Sequence, residues 1–246
     1  MKRGLIMKTS IITLIIIALP LTVLQQPLSA QTHFQTGMQF YLGIPQGQFA
    51  DNLDNPGAGF GGEFLYSPAS SPFGVGLSLG YLIYGNETRS EKLDPLIDVD
   101  VTTSNNLLTG HLLLRAQNKA RVFSPYADLL FGFNYLYTRT SMKSGWDDEG
   151  DNEIASDTNF EDTVLSYGAG GGVMVKLWQG DVNSEEGGKK PLKLMLDLRV
   201  HYLRGGEAEY LKKGSISIDE HDQVSYDVQR STTDLLMTQL GVTVEF

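Results

Sequence analysis

The sequence predicts an all-β chain: an eight-stranded antiparallel transmembrane β-barrel of up-and-down topology, preceded by a helical signal peptide. Three observations predict it. Large apolar residues alternate with small or polar ones in runs of roughly ten, the length of a tilted membrane-crossing strand. Glycine and charge collect on the faces opposite the large apolar residues. The connections between runs alternate between short and long.

The first segment, 1–30, reads as a secretory signal peptide. It carries Lys2, Arg3 and Lys8, then an apolar run interrupted by Pro20, then small residues at Leu28-Ser29-Ala30. The run is short for a spanning helix, and Pro20 would break one. The mature chain is then a single domain, 31–246. Without the three basic residues of the signal it holds 16 basic against 29 acidic residues, a net charge of −13. That excess of negative charge argues against nucleic acid as a partner. With no cysteine, a disulfide framework is excluded.

Eight runs follow in order. Run 34–44 sets Phe34, Met38, Phe40, Leu42 and Ile44 against Gln35, Gly37, Gln39, Tyr41 and Gly43. Run 58–66 sets Phe60, Phe64 and Tyr66 against Gly59, Gly61, Glu63 and Leu65. Run 73–84 has Phe73, Val75, Leu77, Leu79, Tyr81 and Ile83 on one face. In run 99–116 the apolar phase changes from Val99 and Val101 to Leu108, Leu112 and Leu114, which predicts a bulge near Asn105-Asn106. Run 127–138 sets Leu129, Phe131, Phe133, Tyr135 and Tyr137 against Asp128, Leu130, Gly132, Asn134 and Leu136. Run 163–177 places Ser166, three glycines, Met174 and Lys176 opposite Leu165, Tyr167, Val173 and Val175. Run 192–203 carries an unbroken stripe from Leu192 to Tyr202. The last begins near Asp234 and ends on Leu240, Val242, Val244 and Phe246.

The connections 67–72 and 117–124 are short, while 86–98, 143–162 and 204–223 are long and polar. Connection 45–56 belongs to the long set by position, and 179–190 is a long member of the short set. Short turns on one rim and long loops on the other is the signature of a membrane barrel, with the short turns and both strand ends on the periplasmic side. A soluble ligand-binding barrel alternates too, but keeps its apolar residues inside. Here the inward candidates are glycine and charge, which suit the narrow interior of eight strands. Aromatic residues also cluster where interfacial girdles belong, as at Tyr81, Tyr135, Tyr137, Tyr167, Tyr202 and Phe246.

Those inward faces carry Glu63, Asp128, Asp197 and Glu245 against Arg115, Lys176, Lys193 and Arg199. A turn centred between Arg121 and Val122 puts Arg115 opposite Asp128, a cross-strand ion pair. The expectation is a structural charge network that plugs the lumen; a narrow solute or ion path is the alternative. A lipid-modifying enzyme is a second alternative, for which Ser166, His201 and Asp227 or Asp234 are the available residues. Their spacing does not require contact, and there is no nucleophile elbow or zinc-binding helix. No catalytic residue, cofactor or metal site is therefore expected. The acidic stretch "SGWDDEGDNEIASDTNFED" fails as a calcium loop. Counted from Asp147, Asn152 stands where glycine is needed and Thr158 where a bidentate glutamate is needed.

The segments "SLGYLIYGNETR", "PYADLLFGFNYLYTRT", "LSYGAGGGVMVKL", "HYLRGGEAEYLKKGSI" and "STTDLLMTQLGVTVEF" together resemble a group of outer-membrane β-barrel proteins of Bacteroidetes-type bacteria. The barrel itself resembles the transmembrane domain of OmpA and OmpX proteins. The resemblance implies residence in the cell outer membrane of a Gram-negative bacterium, among outer-membrane lipids and lipopolysaccharide. It carries almost nothing about activity; the long loops 86–98, 143–162 and 204–223 are read as serving a structural or surface-interaction role toward an unidentified surface ligand. It further implies that the terminal strand face Leu240, Val242, Val244 and Phe246 is the signal read by the barrel-assembly machinery.

Overall fold

The computed structural model describes residues 32–246 apart from 54, 69–70, 95–96, 119–121, 145–152, 184–188 and 219–223. The signal segment 1–30 and the centre of the acidic stretch lie outside the described residues. The chain forms β1 (Thr32–Pro45), a short helix α1 (Gln48–Asn52), β2 (Gly57–Pro68), β3 (Phe73–Asp94), β4 (Ile97–Gln117) and β5 (Phe123–Ser144). It continues as β6 (Glu153–Asn183), β7 (Lys189–Gly205), β8 (Glu207–Tyr210), β9 (Ile216–Ile218), β10 (Val224–Tyr226), β11 (Gln229–Thr232) and β12 (Leu235–Glu245). Eight of these strands close into a barrel in the order β1-β12-β7-β6-β5-β4-β3-β2. Closure leaves no strand edge facing lipid, so every backbone donor and acceptor in the wall has a partner strand.

The period-two pattern decides what faces where. Met38 and Phe40 on β1 are 77% and 75% exposed, whereas the neighbouring Gln39 and Tyr41 are buried. The same holds for Leu77 and Leu79 on β3, Leu129 and Phe131 on β5, Leu198 and Val200 on β7, and Leu240 and Val242 on β12, all of which point outward. In water such a continuous apolar belt would be an aggregation surface; in a bilayer it is the surface the solvent requires. Aromatic residues fall at both of its margins. Phe34 stacks on Phe64 and Phe246 near the short turns, and Tyr135 stacks on Tyr137 near the opposite rim. No helix among the described residues is long and apolar enough to cross a membrane; the crossing is made by strands.

The structure corrects four local expectations. The phase change in β4 is not a bulge in that strand, for β4 pairs with β5 without a shift from Val99↔Ser144 to Gln117↔Tyr126. The irregularity lies across from Asn105-Asn106, in β3, where the register slips between Ile83 and Gly85 and leaves Tyr84 as the extra residue. Secondly, 86–98 and 143–162 are mostly strand. Pairing continues from Asn86↔Ser104 to Asp94↔Ile97 and from Arg139↔Thr158 to Lys143↔Glu153. Beyond the lipid no apolar face is required, so the alternation that reveals a strand disappears while backbone pairing of the β-prone Thr and Val residues continues. Thirdly, 179–190 is mostly strand as well, since β6 pairs with β7 as far as Asn183↔Lys189. Lastly, the connections 45–56 and 204–223 carry α1 and the β8 and β9 strands over the extracellular end.

Candidate functional site

The alternation that sends leucine to lipid sends charge to the interior. Arg115 of β4 and Asp128 of β5 are directly opposed, and the guanidinium meets the carboxylate through Nε–Oδ1 at 2.8 Å and Nη2–Oδ2 at 2.9 Å. Arg115 also grips Glu63 of β2 with a second fork, at 2.9 and 3.0 Å. It reaches past β3 because β3 presents Gly74 opposite it and Gly76 next along the lumen face. Arg199 of β7 binds the same Glu63, at 2.9 Å through Nη2, and also Asp197. The Tyr126 hydroxyl donates to Asp197 at 2.5 Å, and its ring lies 4.0 Å beneath the Arg115 guanidinium. His201 meets Asp128 at 3.0 Å through Nε2 and the Gln239 amide nitrogen at 3.0 Å through Nδ1. All of these side chains are buried.

Of the eight charged residues named from sequence, the structure brings Glu63, Arg115, Asp128, Asp197 and Arg199 into this one network. Glu245 and Lys193 form a separate pair nearer the periplasmic end, Nζ to Oε1 at 2.5 Å, joined by Gln35 at 2.8 Å. Lys176 belongs to neither: its ammonium donates to Gln179 at 2.9 Å, where β6 slips register between Lys176 and Trp178. The slip turns Leu177 and Trp178 both outward, a local break that strict alternation does not reveal; Lys176 precedes it and keeps its register opposite Met195, one level beyond Met174↔Asp197. Sequence reasoning does not single out Tyr126 or Gln239 as site residues, although parity places both in the lumen.

Further toward the extracellular end the interior turns apolar. Along β7 the order is Arg199, His201, Leu203, and along β4 it is Arg115, His111, Leu107. Leu82, Leu107, Leu136, Leu203, Leu235 and Met237 are all buried in one cluster. That cluster includes Phe49 of α1, which is 0% exposed, together with Tyr84 and Tyr210. The lumen thus has a charged middle and an apolar upper layer. Two forked arginines lie in the middle, and leucines pack in the layer above beside the buried Thr109 and Asn134.

The residues considered for catalysis are not assembled. Ser166 is fully buried and bonds His111 at 3.0 Å. His201 is engaged with Asp128 and Gln239 instead. Asp234 serves the Tyr202 hydroxyl and the Gly205 amide, and Asp227 lies in the segment between β10 and β11. Among the described residues no group of three or more His, Cys, Asp or Glu side chains could hold a metal ion.

A closed antiparallel barrel with an apolar belt outside, aromatic margins and a polar, charge-paired interior defines an integral outer-membrane β-barrel protein, of the small eight-stranded type to which OmpA and OmpX belong. No family model matches the chain, and no curated protein matches it. Among solved structures it is similar to the attachment invasion locus protein Ail of Yersinia pestis, with 16% identity over 89% of this chain and 100% of that one, at a TM-score of 0.39. It is also similar to Neisserial surface protein A, with 11% identity over 87% and 95% and a TM-score of 0.36. A major outer membrane protein of Thermus thermophilus gives 12% identity over 87% and 99%, with a TM-score of 0.38.

Proposed function

We propose that this outer-membrane protein is a non-conducting, non-catalytic barrel that presents a β-sheet to the cell exterior for contact with a surface partner. The observation that carries the reading is the length of β3 to β6. Their pairing runs past the lipid belt, through Asn86↔Ser104 and Arg139↔Thr158. β2 stops pairing with β3 at Ala58↔Ile83, and β7 stops pairing with β6 at Ser166↔Gly205. The outer part of β3 therefore has a strand neighbour on one side only among the described residues. An unpaired edge offers backbone hydrogen bonds to an added strand. The test is to replace 87–102 with a tight turn and compare surface capture of partner proteins by intact and trimmed barrels. Equal capture of the same proteins by both would overturn the reading.

The plugged lumen has its own measurement. Purified protein in planar bilayers is expected to show no large, stable conductance, because the Glu63–Arg115–Arg199 network and the leucine layer occupy the bore. Steady open steps of porin size would establish the channel alternative instead. Lipid A acylation is expected to be unchanged on overexpression, and mass spectrometry of the lipid reads this directly.

The terminal strand closes the barrel and, in this proposal, also serves as the assembly signal. β12 pairs with β7 on one side and with β1 on the other. Phe246 exchanges both backbone hydrogen bonds with Phe34 at 2.9 Å, and its ring stacks on that of Phe34 with centroids 6.0 Å apart. Deleting Phe246 is expected to leave refolding in detergent largely intact while lowering insertion in cells several-fold. Fractionated outer membranes would measure the loss, and normal insertion of the truncated chain would count against it. The signal peptide 1–30 and the Bacteroidetes-type likeness belong to this proposal as well, the first testable by N-terminal sequencing of the mature protein.

A further inference from the structure

At the extracellular mouth one phenyl ring occupies a pocket whose walls are built without it. Phe49 is 0% exposed. Its ring meets Tyr210 edge-on, centroids 5.2 Å apart at 86°, and meets Tyr84 at 5.9 Å. Tyr84 and Tyr210 are themselves edge to face at 6.4 Å. The walls are anchored by the barrel and its cap. Tyr84 continues the lumen face of Gly80 and Leu82 at the β3 irregularity, and its hydroxyl donates to the Leu211 carbonyl at 3.4 Å. Tyr210 is paired in β8 with Gln229 of β11, and its hydroxyl bonds Ser231 at 2.8 Å.

The occupant sits on a short segment tied down before α1 by the Gln46 amide donating to the Asp234 carbonyl at 2.9 Å and after it by buried Leu53. α1 has five residues, begins after Gly47 at φ 55, and has no side-chain cap on its N-terminus. A helix that short contributes almost no stability of its own. Its polar tethers are Asn52 to the Tyr210 hydroxyl at 3.0 Å and Gln48 to the Thr232 amide at 3.3 Å. An aromatic box anchored by the barrel and its cap is thus filled by a phenyl carried on a five-residue helix.

We infer that the Tyr84–Tyr210 pocket is a binding site for a small single-ring aromatic compound, for which Phe49 is the displaceable internal occupant. A ring bearing one hydrogen-bond donor suits it best, because the Tyr210 hydroxyl keeps Ser231 but loses the Asn52 donor when α1 leaves. The site needs neither the extracellular sheet edge nor a surface partner, so it stands or falls separately from the proposed function.

The probe is p-cresol, titrated into refolded protein and followed through the amide signals of Tyr84 and Tyr210. Wild type is expected to saturate, and Phe49→Ala to saturate at about tenfold lower concentration, since no internal ring has to be displaced. The chain lacks cysteine, so Gln48→Cys with Thr232→Cys can be bridged by a short bismaleimide to hold α1 shut. The bridged protein is expected to lose the response and the unbridged double variant to keep it. The inference is overturned if wild type gives no saturable shift where Phe49→Ala does, if neither responds, or if bridged and unbridged proteins respond alike. The heat-dependent gel shift of each variant shows that its barrel is formed.

Discussion

Replacing Arg115 with methionine is expected to destabilise the barrel by about 3–5 kcal/mol, read from urea unfolding of the refolded protein in detergent. Four hydrogen bonds to two carboxylates depend on this one guanidinium. Without it, among the described residues, Asp128 keeps only His201 and Glu63 keeps only Arg199, and both carboxylates are buried. The cost lies in the buried charge left behind more than in the lost pair, so Arg115→Met combined with Asp128→Leu is expected to cost less than Arg115→Met alone. Lys176→Gln supplies the contrast. Among the described residues its ammonium meets Gln179, in a partly exposed position, and the change is expected to cost under about 1 kcal/mol. Equal losses for Arg115→Met and Lys176→Gln would show that the central network does not hold the wall together.

The second large effect is expected at a glycine. A methyl group at Gly132 would lie 1.8 Å from the Gly110 carbonyl oxygen and 2.7 Å from the His111 Cα, which is β4 backbone that cannot rotate away. Gly132 is also flanked by His111 on β4 and Ser166 on β6, and their 3.0 Å hydrogen bond passes over it. Gly132→Ala is therefore expected to separate two wall strands and break a buried side-chain contact, a loss of about 3 kcal/mol or more. Refolding yield, scored by the heat-dependent shift in gel mobility, should fall sharply. Gly62→Ala faces lipid with its nearest neighbour at 3.2 Å and is expected to refold nearly as wild type. If both variants refold alike, the interior glycines are not there for space.

How far the lumen could be read in advance follows from how each part is encoded. The faces of the barrel strands were legible because lipid and lumen impose opposite chemistry on alternate residues. The Arg115–Asp128 opposition follows from one turn position and simple counting, for β4 and β5 pair without a slip. Glu63 and Arg199 meet across the bore, through partners on strands that are not sequence neighbours, and no local pattern carries that information. Lys176 keeps lumen parity opposite Met195, but it lies one level beyond Met174↔Asp197, and parity alone does not give that axial distance from the central charges. Phe49 left no signal: an aromatic residue in a polar twelve-residue connection looks like surface until the barrel closes beneath it.

The amino-acid sequence by itself determined that this chain crosses a membrane as eight strands, which face of each strand meets lipid, and that acids and bases of both signs line the bore. Those are consequences of period two in an anisotropic solvent, and each is written within a dozen residues. Only the tertiary structure decided which charges pair, that leucines pack together in the upper bore, that strand pairing continues past the apolar runs, and that Phe49 lies between Tyr84 and Tyr210. These depend on shear, register slips and chain segments distant in sequence meeting at one point, and closure of the sheet is what brings them together.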